Sequence, residues 1–94
     1  MRRDNVLTPA MVTPPGESIH EELSARGWSQ RQLAQKMRRP VQAINEIIRG
    51  KRQITAATAL ELADAFGTSA EMWLGMESRY RLHLARTERR RRSA

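Results

Sequence analysis

The sequence predicts an all-α domain of five helices. Apolar residues recur at spacings of three and four, and helix start and stop signals follow one another along the chain. No segment alternates apolar and polar residues for long enough to form a strand. The length of 94 residues fits one small domain with a modest core, which favours short helices over a catalytic cleft.

The first helix is predicted from about Gly16 to Arg26. The segment Pro14-Pro15-Gly16-Glu17 opens it, because proline suits a first turn and an acid favours the positive end of the helix dipole. Gly27 supplies the left-handed stop. Ser29 with Gln32 is a capping-box pattern and begins the second helix, whose inward face is Leu33, Ala34 and Met37.

A tight turn of Arg38 and Arg39 leads into the third helix, where Pro40 sets the first turn. Ile44, Ile47 and Ile48 fall at positions i, i+3 and i+4, so they are predicted to point at the core. Gly50 ends this helix, and a basic loop follows.

The fourth helix is predicted from Ala56 to Phe66, between a Thr55 cap and a Gly67 stop. Its buried residues should be Ala59, Leu60, Leu62, Ala63 and Phe66. Thr68 with Glu71 is another capping-box pattern, and it opens a fifth helix that should run from about Ser69 to Arg86.

These elements divide the chain into three parts. Residues 1–14 contain prolines and no helical period, so they are predicted to form an N-terminal arm. Residues 15–86 should form the helical domain, including a C-terminal dimerisation helix. Residues 87–94 are charged and aperiodic, which is typical of a basic tail.

The composition narrows the function. The chain has 17 Lys and Arg against 10 Asp and Glu, a net charge of +7 that suits a polyanion or simply a well-solvated surface. It has no cysteine, and His20 and His83 lack ligand spacing, so we expect no metal and no cofactor. We find no catalytic constellation, so an enzyme is not expected. Without an apolar run near the roughly 18 residues that span a bilayer, we expect a cytoplasmic protein that does not bind membranes.

The second and third helices form a helix-turn-helix unit of the kind that reads DNA. Geometry places a polar face opposite the isoleucines of the third helix, and its residues suit base edges in the major groove: Val41, Gln42, Asn45 and Glu46. Gln42 and Asn45 can pair with adenine, Val41 can touch a thymine methyl, and Glu46 can accept from cytosine. A carboxylate near phosphates is costly, so Glu46 could instead orient Arg49 or a neighbouring arginine.

The same edge is predicted to bind DNA phosphates. Gln30 lies in the first turn of the second helix, where free backbone N–H groups and an amide side chain can hold a phosphate. A cluster of basic side chains surrounds it: Arg31, Arg38, Arg39, Arg49, Lys51 and Arg52.

The fifth helix carries an apolar stripe that we interpret as a dimer seam, formed by Trp73, Met76, Tyr80 and Leu84. A palindromic DNA site would require such two-fold symmetry. The alternative is that Met72 and Trp73 complete the core and the remainder is solvated. The run Arg89 to Arg92 could follow a phosphate backbone, enter a minor groove, or serve as a solubility tail.

From Pro15 to Tyr80 the chain resembles the HigA-type antitoxins of the Xre/Cro helix-turn-helix superfamily. The matching segments are PGE at 15–17, EEL at 21–23, GWSQRQLA at 27–34, INEII.GKR.IT at 44–55, ALELADAFGTS at 59–69 and MWL at 72–74. The chain departs from the family at Gly75-Met76-Glu77 and Tyr80-Arg81, where a Leu-Gln pair and a Tyr-Asp pair are common. It is also basic, whereas many antitoxins are acidic.

The resemblance implies a five-helix, lambda-repressor-like DNA-binding domain that dimerises and binds a palindromic operator over its own promoter. It also implies a HigB-like toxin partner that cleaves mRNA. In such proteins the positions of Gln42, Asn45 and Glu46 read bases, and that of Gln30 anchors a phosphate. Two alternatives stay open: a stand-alone Xre-family transcriptional regulator without a toxin, and a basic protein-binding module whose DNA affinity is incidental.

Overall fold

A computed structural model describes residues 12–93 and contains five helices in that range. They are α1 (Pro15–Arg26), α2 (Gln30–Met37), α3 (Val41–Ile48), α4 (Ala56–Phe66) and α5 (Ala70–Ser93). No strand occurs between residues 12 and 93, so the prediction of an all-α, five-helix domain is confirmed. Most of the predicted N-terminal arm, residues 1–11, lies outside the described residues.

The predicted caps of α2 and α4 are present. The Ser29 hydroxyl accepts from the Gln32 N–H at 3.1 Å, and the Gln32 side chain accepts from the Ser29 N–H at 2.7 Å. Thr55 forms the equivalent box with Thr58 at the start of α4. These reciprocal bonds satisfy N–H groups that a helix leaves unpaired, which is why the short helices begin at these residues.

The start of α5 corrects the predicted cap. Ser69, not Thr68, caps the helix, because its hydroxyl accepts from the Met72 N–H at 3.0 Å. The Thr68 hydroxyl accepts instead from the indole Nε1–H of Trp73 at 2.8 Å. The buried indole needed an acceptor, and Thr68 is the side chain in reach.

The end of α5 also differs from the prediction. The helix was expected to stop near Arg86, but it continues to Ser93. The final residues lack an apolar period, yet Arg, Glu and Ala are good helix formers and no glycine or proline interrupts them. Glu88 pairs with Arg91 at 3.4 Å and with Arg92 at 3.3 Å across one turn, and the arginines suit the negative end of the helix dipole.

The core lies between all five helices and contains Ile19, Leu23, Leu33, Ile44, Leu62, Phe66 and Trp73. The predicted burial of Leu60 is wrong, because its side chain is 59% exposed. The buried stripe of α4 follows Ala59, Leu62 and Phe66 at spacings of three and four, and Leu60 lies to one side of that stripe.

Gly16 allows the first turn of α1 to pack directly on the backbone at the end of α3. A Cβ at this position would overlap the carbonyl oxygen of Ile48 and lie 2.7 Å from its carbonyl carbon. Backbone atoms cannot rotate away as a side chain would, so a larger residue would push the two helices apart.

We therefore expect Gly16→Ala to lower the free energy of unfolding by about 2 to 3 kcal/mol, the upper part of the range for overpacking a core. Urea unfolding followed by circular dichroism would measure the change. Gly75→Ala is the matched control, since its Cβ would meet only the flexible end of Arg79 at 3.3 Å. That control should be neutral or stabilising by up to about 1 kcal/mol. Equal effects at both glycines would contradict the role of the α1–α3 contact.

Candidate nucleic-acid interface

The α2–α3 unit is built by a three-residue turn between the two helices. Arg38 ends α2 in the left-handed conformation at φ 56°, and Pro40 precedes α3 with an extended backbone. Leu33, Ala34 and Met37 on α2 and Ala43, Ile44 and Ile47 on α3 are buried between them and the rest of the core. The predicted inward residues are confirmed, apart from Ile48, which is half-buried.

The outer face of α3 contains the four residues predicted to read bases. Val41 and Gln42 are exposed, whereas Asn45 and Glu46 are half-buried. Arg49, the residue after α3, is exposed next to them. The structure therefore brings these side chains onto one accessible surface, and their contact with bases stays a prediction.

A hydrogen bond joins two of the predicted contacts. The Asn45 amide Nδ2 donates to Gln30 Oε1 at 3.2 Å, so the first turn of α2 is linked to the middle of α3. The Gln30 amide nitrogen keeps its donors, and the Asn45 amide oxygen keeps its acceptor sites. The pair can therefore bind a phosphate and a base while the two helices are held in register. Sequence spacing did not reveal this link, because the residues are fifteen positions apart.

Glu46 lies in a network with Arg52. Arg52 donates from Nε at 2.9 Å and from Nη2 at 2.6 Å to the same carboxylate oxygen, Oε1. Gln42 Nε2 lies 3.5 Å from the other oxygen. Of the two roles considered for Glu46, this arrangement matches the one in which it orients a neighbouring arginine, and the arginine is Arg52 rather than Arg49.

The hydrogen bond from Arg52 is the largest cause that lowers the pKa of Glu46 below the ordinary value of 4.5. Because the folded-state pKa is depressed, the ion pair is fully present above the ordinary pKa of glutamate. It is lost only as the pH falls through the lower folded-state value. Glu46 therefore keeps its charge at neutral pH and offsets that of Arg52.

Arg39 is also engaged within the protein. Its Nε and Nη2 donate to the two carboxylate oxygens of Glu61 on α4 at 2.8 and 3.0 Å. This bidentate pair holds the α2–α3 turn against α4, and it raises the pKa of Arg39. Of the other predicted phosphate contacts, four are exposed and form no ion pair within residues 12–93: Arg31, Arg38, Arg49 and Lys51.

α5 supports the loop that follows α3. Arg81 Nη2 donates to the Gly50 carbonyl at 3.3 Å, and Arg81 Nε donates to Glu77 at 2.5 Å. Glu77 is only 6% exposed. The spacing of Glu77 and Arg81 could have indicated a pair on one helix, but sequence reasoning missed Gly50 as the third member. Arg81 of α5 therefore holds the loop that contains Lys51 and Arg52 through its bond to the Gly50 carbonyl.

The structure corrects one member of the predicted dimer seam. Trp73 is fully buried, so its ring belongs to the core and is not available to a second copy. Met76 is half-buried, and its sulfur accepts from the Ser18 hydroxyl at 3.5 Å. Tyr80 is half-buried and Leu84 is 40% exposed. Met76, Tyr80 and Leu84 remain as seam residues by prediction.

No group of three or more His, Asp or Glu side chains is arranged to hold a metal ion between residues 12 and 93. None of the five helices is both long enough and apolar enough to cross a membrane.

The chain is similar to known helix-turn-helix proteins. A helix-turn-helix family model matches residues 19–73. The virulence-associated protein I of Dichelobacter nodosus is 42% identical over 76 residues, which are 80% of this chain and 70% of that protein.

Two solved structures are also similar. One is an addiction module antidote protein of a HigA family from Coxiella burnetii, with a TM-score of 0.79 and 36% identity over 86% of this chain and 89% of that chain. The other is the antitoxin HigA of Pseudomonas aeruginosa with the higBA promoter, with a TM-score of 0.80 and 30% identity over the same shares, 86% and 89%.

The network around Glu46 leads to a test of its role. We expect Glu46→Gln to strengthen binding to random-sequence duplex DNA and to raise the salt slope of binding by about 0.9, because Arg52 is released to contact a phosphate. Fluorescence anisotropy across a salt series would measure both quantities. The double variant Glu46→Gln/Arg52→Gln should lose the gain. A gain that persists without Arg52 would show that the carboxylate acts by simple repulsion.

Proposed function

Because this chain belongs to the HigA-type antitoxins of the Xre/Cro helix-turn-helix superfamily, we propose that it represses its own operon and neutralises a HigB-like, mRNA-cleaving toxin. It would act in the cytoplasm as a homodimer on a palindromic operator. The observation that carries the DNA-binding part is the exposed polar face of α3, held in register with α2 by the bond between Asn45 and Gln30.

DNA reading would centre on the middle of that face. Gln42 is exposed and bound only weakly, at 3.5 Å from Glu46, so its amide is free to pair with a base edge. Val41, 38% exposed, offers a methyl surface beside it. Phosphate contacts from Gln30, Arg31, Arg38, Arg49 and Lys51 would position the helix without selecting a sequence.

The homodimer would form through α5. Leu84 is exposed, and the half-buried Tyr80 and Met76 precede it on the same side of the helix at intervals of one turn. A two-fold axis at this seam would place one copy of α3 in each half-site, with the half-sites about one helical turn apart.

The toxin partnership rests on family membership and on the relatives described above as antidote and antitoxin. Coexpression with a small nuclease-like protein encoded beside this chain would test it. Rescue of growth together with copurification of the two proteins would support the antitoxin role. If the neighbouring gene encodes a toxic protein that this chain neither binds nor neutralises, the antitoxin role fails. Only the role as a DNA-binding regulator then remains.

For the DNA-reading part we expect Gln42→Ala to weaken binding to the operator by about 1 to 3 kcal/mol, since one bidentate base contact is lost. A duplex from the chain's own promoter region, with a scrambled duplex of equal length as control, would be titrated at 150 mM salt, roughly physiological ionic strength. Binding to the scrambled duplex should hardly change. An equal loss on both duplexes would show that Gln42 does not read sequence.

For the dimer we expect Leu84→Glu to convert the wild-type homodimer to a monomer at micromolar concentration, because two carboxylates would face each other across the axis. Sedimentation velocity would give the two masses. Leu60→Glu is the matched control, since this leucine of α4 is 59% exposed and lies outside the seam. A monomeric wild type, or a control that dissociates equally, would argue against the seam.

A further inference from the structure

A single side chain joins the loop after α3 to another helix by a hydrogen bond. The N–H groups of Arg49, Gly50 and Lys51 all donate back to carbonyl oxygens of α3. Within residues 12–93, the bond from Arg81 Nη2 to the Gly50 carbonyl is the only one between loop residues 49–53 and a helix other than α3. The hydrogen-bonded position of this loop relative to α5 therefore depends on Arg81.

The peptide unit between Gly50 and Lys51 is held at both of its polar ends. Its carbonyl oxygen accepts from Arg81 at 3.3 Å, and its N–H donates to the Glu46 carbonyl at 2.8 Å. Because a peptide unit is planar, two bonds on opposite sides fix the orientation of the whole plane. The plane ends at the Lys51 Cα, so its orientation determines the direction in which the lysine side chain leaves the backbone.

Arg81 is itself held in place by α5. Its Nε donates to Glu77 at 2.5 Å, and its guanidinium group lies 5.4 Å from the centroid of the Tyr80 ring. The guanidinium is a rigid fork, so an Nε bond to Glu77 also fixes the direction of Nη2. Glu77 is only 6% exposed, and a buried carboxylate is costly without its cation. The burial of Glu77 therefore keeps Arg81 directed at the loop.

Lys51 lies beside the exposed face of α3. Its N–H bonds to the carbonyl of Glu46, and the next residue, Arg52, bonds to the Glu46 carboxylate. The Lys51 side chain is exposed and forms no ion pair within the described residues. A long side chain loses conformational freedom when it binds a partner, and a backbone that is already fixed reduces this loss.

From these contacts we propose that Arg81 and Glu77 are positioning residues for DNA binding. They hold the Gly50–Lys51 peptide so that Lys51 contacts a phosphate beside the half-site read by α3, and neither of them touches DNA. The inference rests on the proposed DNA binding and explains how one of its phosphate contacts is oriented. A phosphate contact carries no sequence information, so the effect is the same on any duplex.

The test replaces the pair without changing the net charge. Glu77→Met/Arg81→Met, the α5 pair variant, removes the bond to Gly50. Methionine is a good helix former, and apolar residues of similar volume commonly replace a buried ion pair without loss of the fold. Glu22→Met/Arg26→Met is the matched control. Arg26 also pairs with the glutamate four residues before it and donates to a backbone carbonyl, but that carbonyl belongs to Phe66 at the end of α4.

Binding to promoter and scrambled duplexes is measured by fluorescence anisotropy over a salt series, with and without Lys51→Gln. The α5 pair variant should bind both duplexes about two- to tenfold more weakly, which is the cost of ordering one long side chain. Its salt slope should be unchanged, whereas Lys51→Gln should lower the slope by about 0.9. Added to Lys51→Gln, the α5 pair variant should cause no further loss, because the two act through one contact. The control should bind as the wild type does.

Three results would overturn the proposal: no loss of affinity in the α5 pair variant, an equal loss in the control, or an unchanged slope in Lys51→Gln. A loss of the same size with and without Lys51 would also overturn it, since Arg81 would then contact DNA itself or support the fold generally. Circular dichroism and sedimentation establish that each variant keeps the helical content and the mass of the wild type.

A second readout needs no DNA. Backbone order parameters from amide nitrogen relaxation should fall below about 0.6 at Lys51 in the α5 pair variant, while those of α3 stay near about 0.85. An unchanged value at Lys51 would show that the bond from Arg81 does not hold the peptide, and the proposal would fail.

The same data separate this inference from the proposed function. If the wild type shows no preference for its promoter over the scrambled duplex, the proposed sequence-specific repressor fails. The order parameters and the comparison on the scrambled duplex still decide the role of Arg81. If the preference is strong and the α5 pair variant binds as the wild type does, the repressor stands and the positioning role fails.

Discussion

The close packing of α1 on the end of α3 is the constraint on which the rest of the structure depends. The first turn of α1 approaches the Ile48 carbonyl so closely that only glycine fits at position 16. This contact fixes the position of the C-terminal end of α3 against α1, and therefore that of the loop with Lys51 and Arg52 that follows. Arg81 then holds the same loop from α5 through the Gly50 carbonyl. Two elements outside the helix-turn-helix unit thus determine the position of its exposed face.

Around that face, several polar side chains are hydrogen-bonded to one another within the protein. Arg39 is held by Glu61, Arg52 by Glu46, and Asn45 by Gln30. Such pairs have a modest energetic value at a surface, but they restrict the rotamers that the side chains adopt. The side chains that are proposed to contact DNA, Gln42 and the basic residues that form no ion pair within residues 12–93, are then presented by a scaffold that needs little rearrangement. Specificity and general attraction would be provided by different groups.

The charge is distributed unevenly along the chain. The body of the protein is neutral, whereas the second half of α5 is strongly basic. Had α5 ended near Arg86, the last arginines would have been attached to a flexible chain. Because the helix continues to Ser93, Arg90 lies in a line with Arg79 and Arg86 at fixed intervals. Because this segment is helical, its arginines are held at regular positions along the helix surface.

The sequence by itself determined the five helices, the caps at Ser29 and Thr55, the left-handed stops at Gly27 and Gly67, and the exposed face of α3. These features follow from local signals, namely capping side chains, glycine conformations and a period of 3.6 residues. Only the tertiary structure decided the burial of Trp73, the exposure of Leu60, and the partners of Asn45, Glu46 and Arg81. Those outcomes depend on which helix faces which, and contacts between residues distant in the chain leave no periodic pattern in the sequence. The length of α5 depends on local signals of another kind. The apolar pattern ends near Arg86, but helix propensity and the ion pairs of Glu88 with Arg91 and Arg92 extend the helix to Ser93.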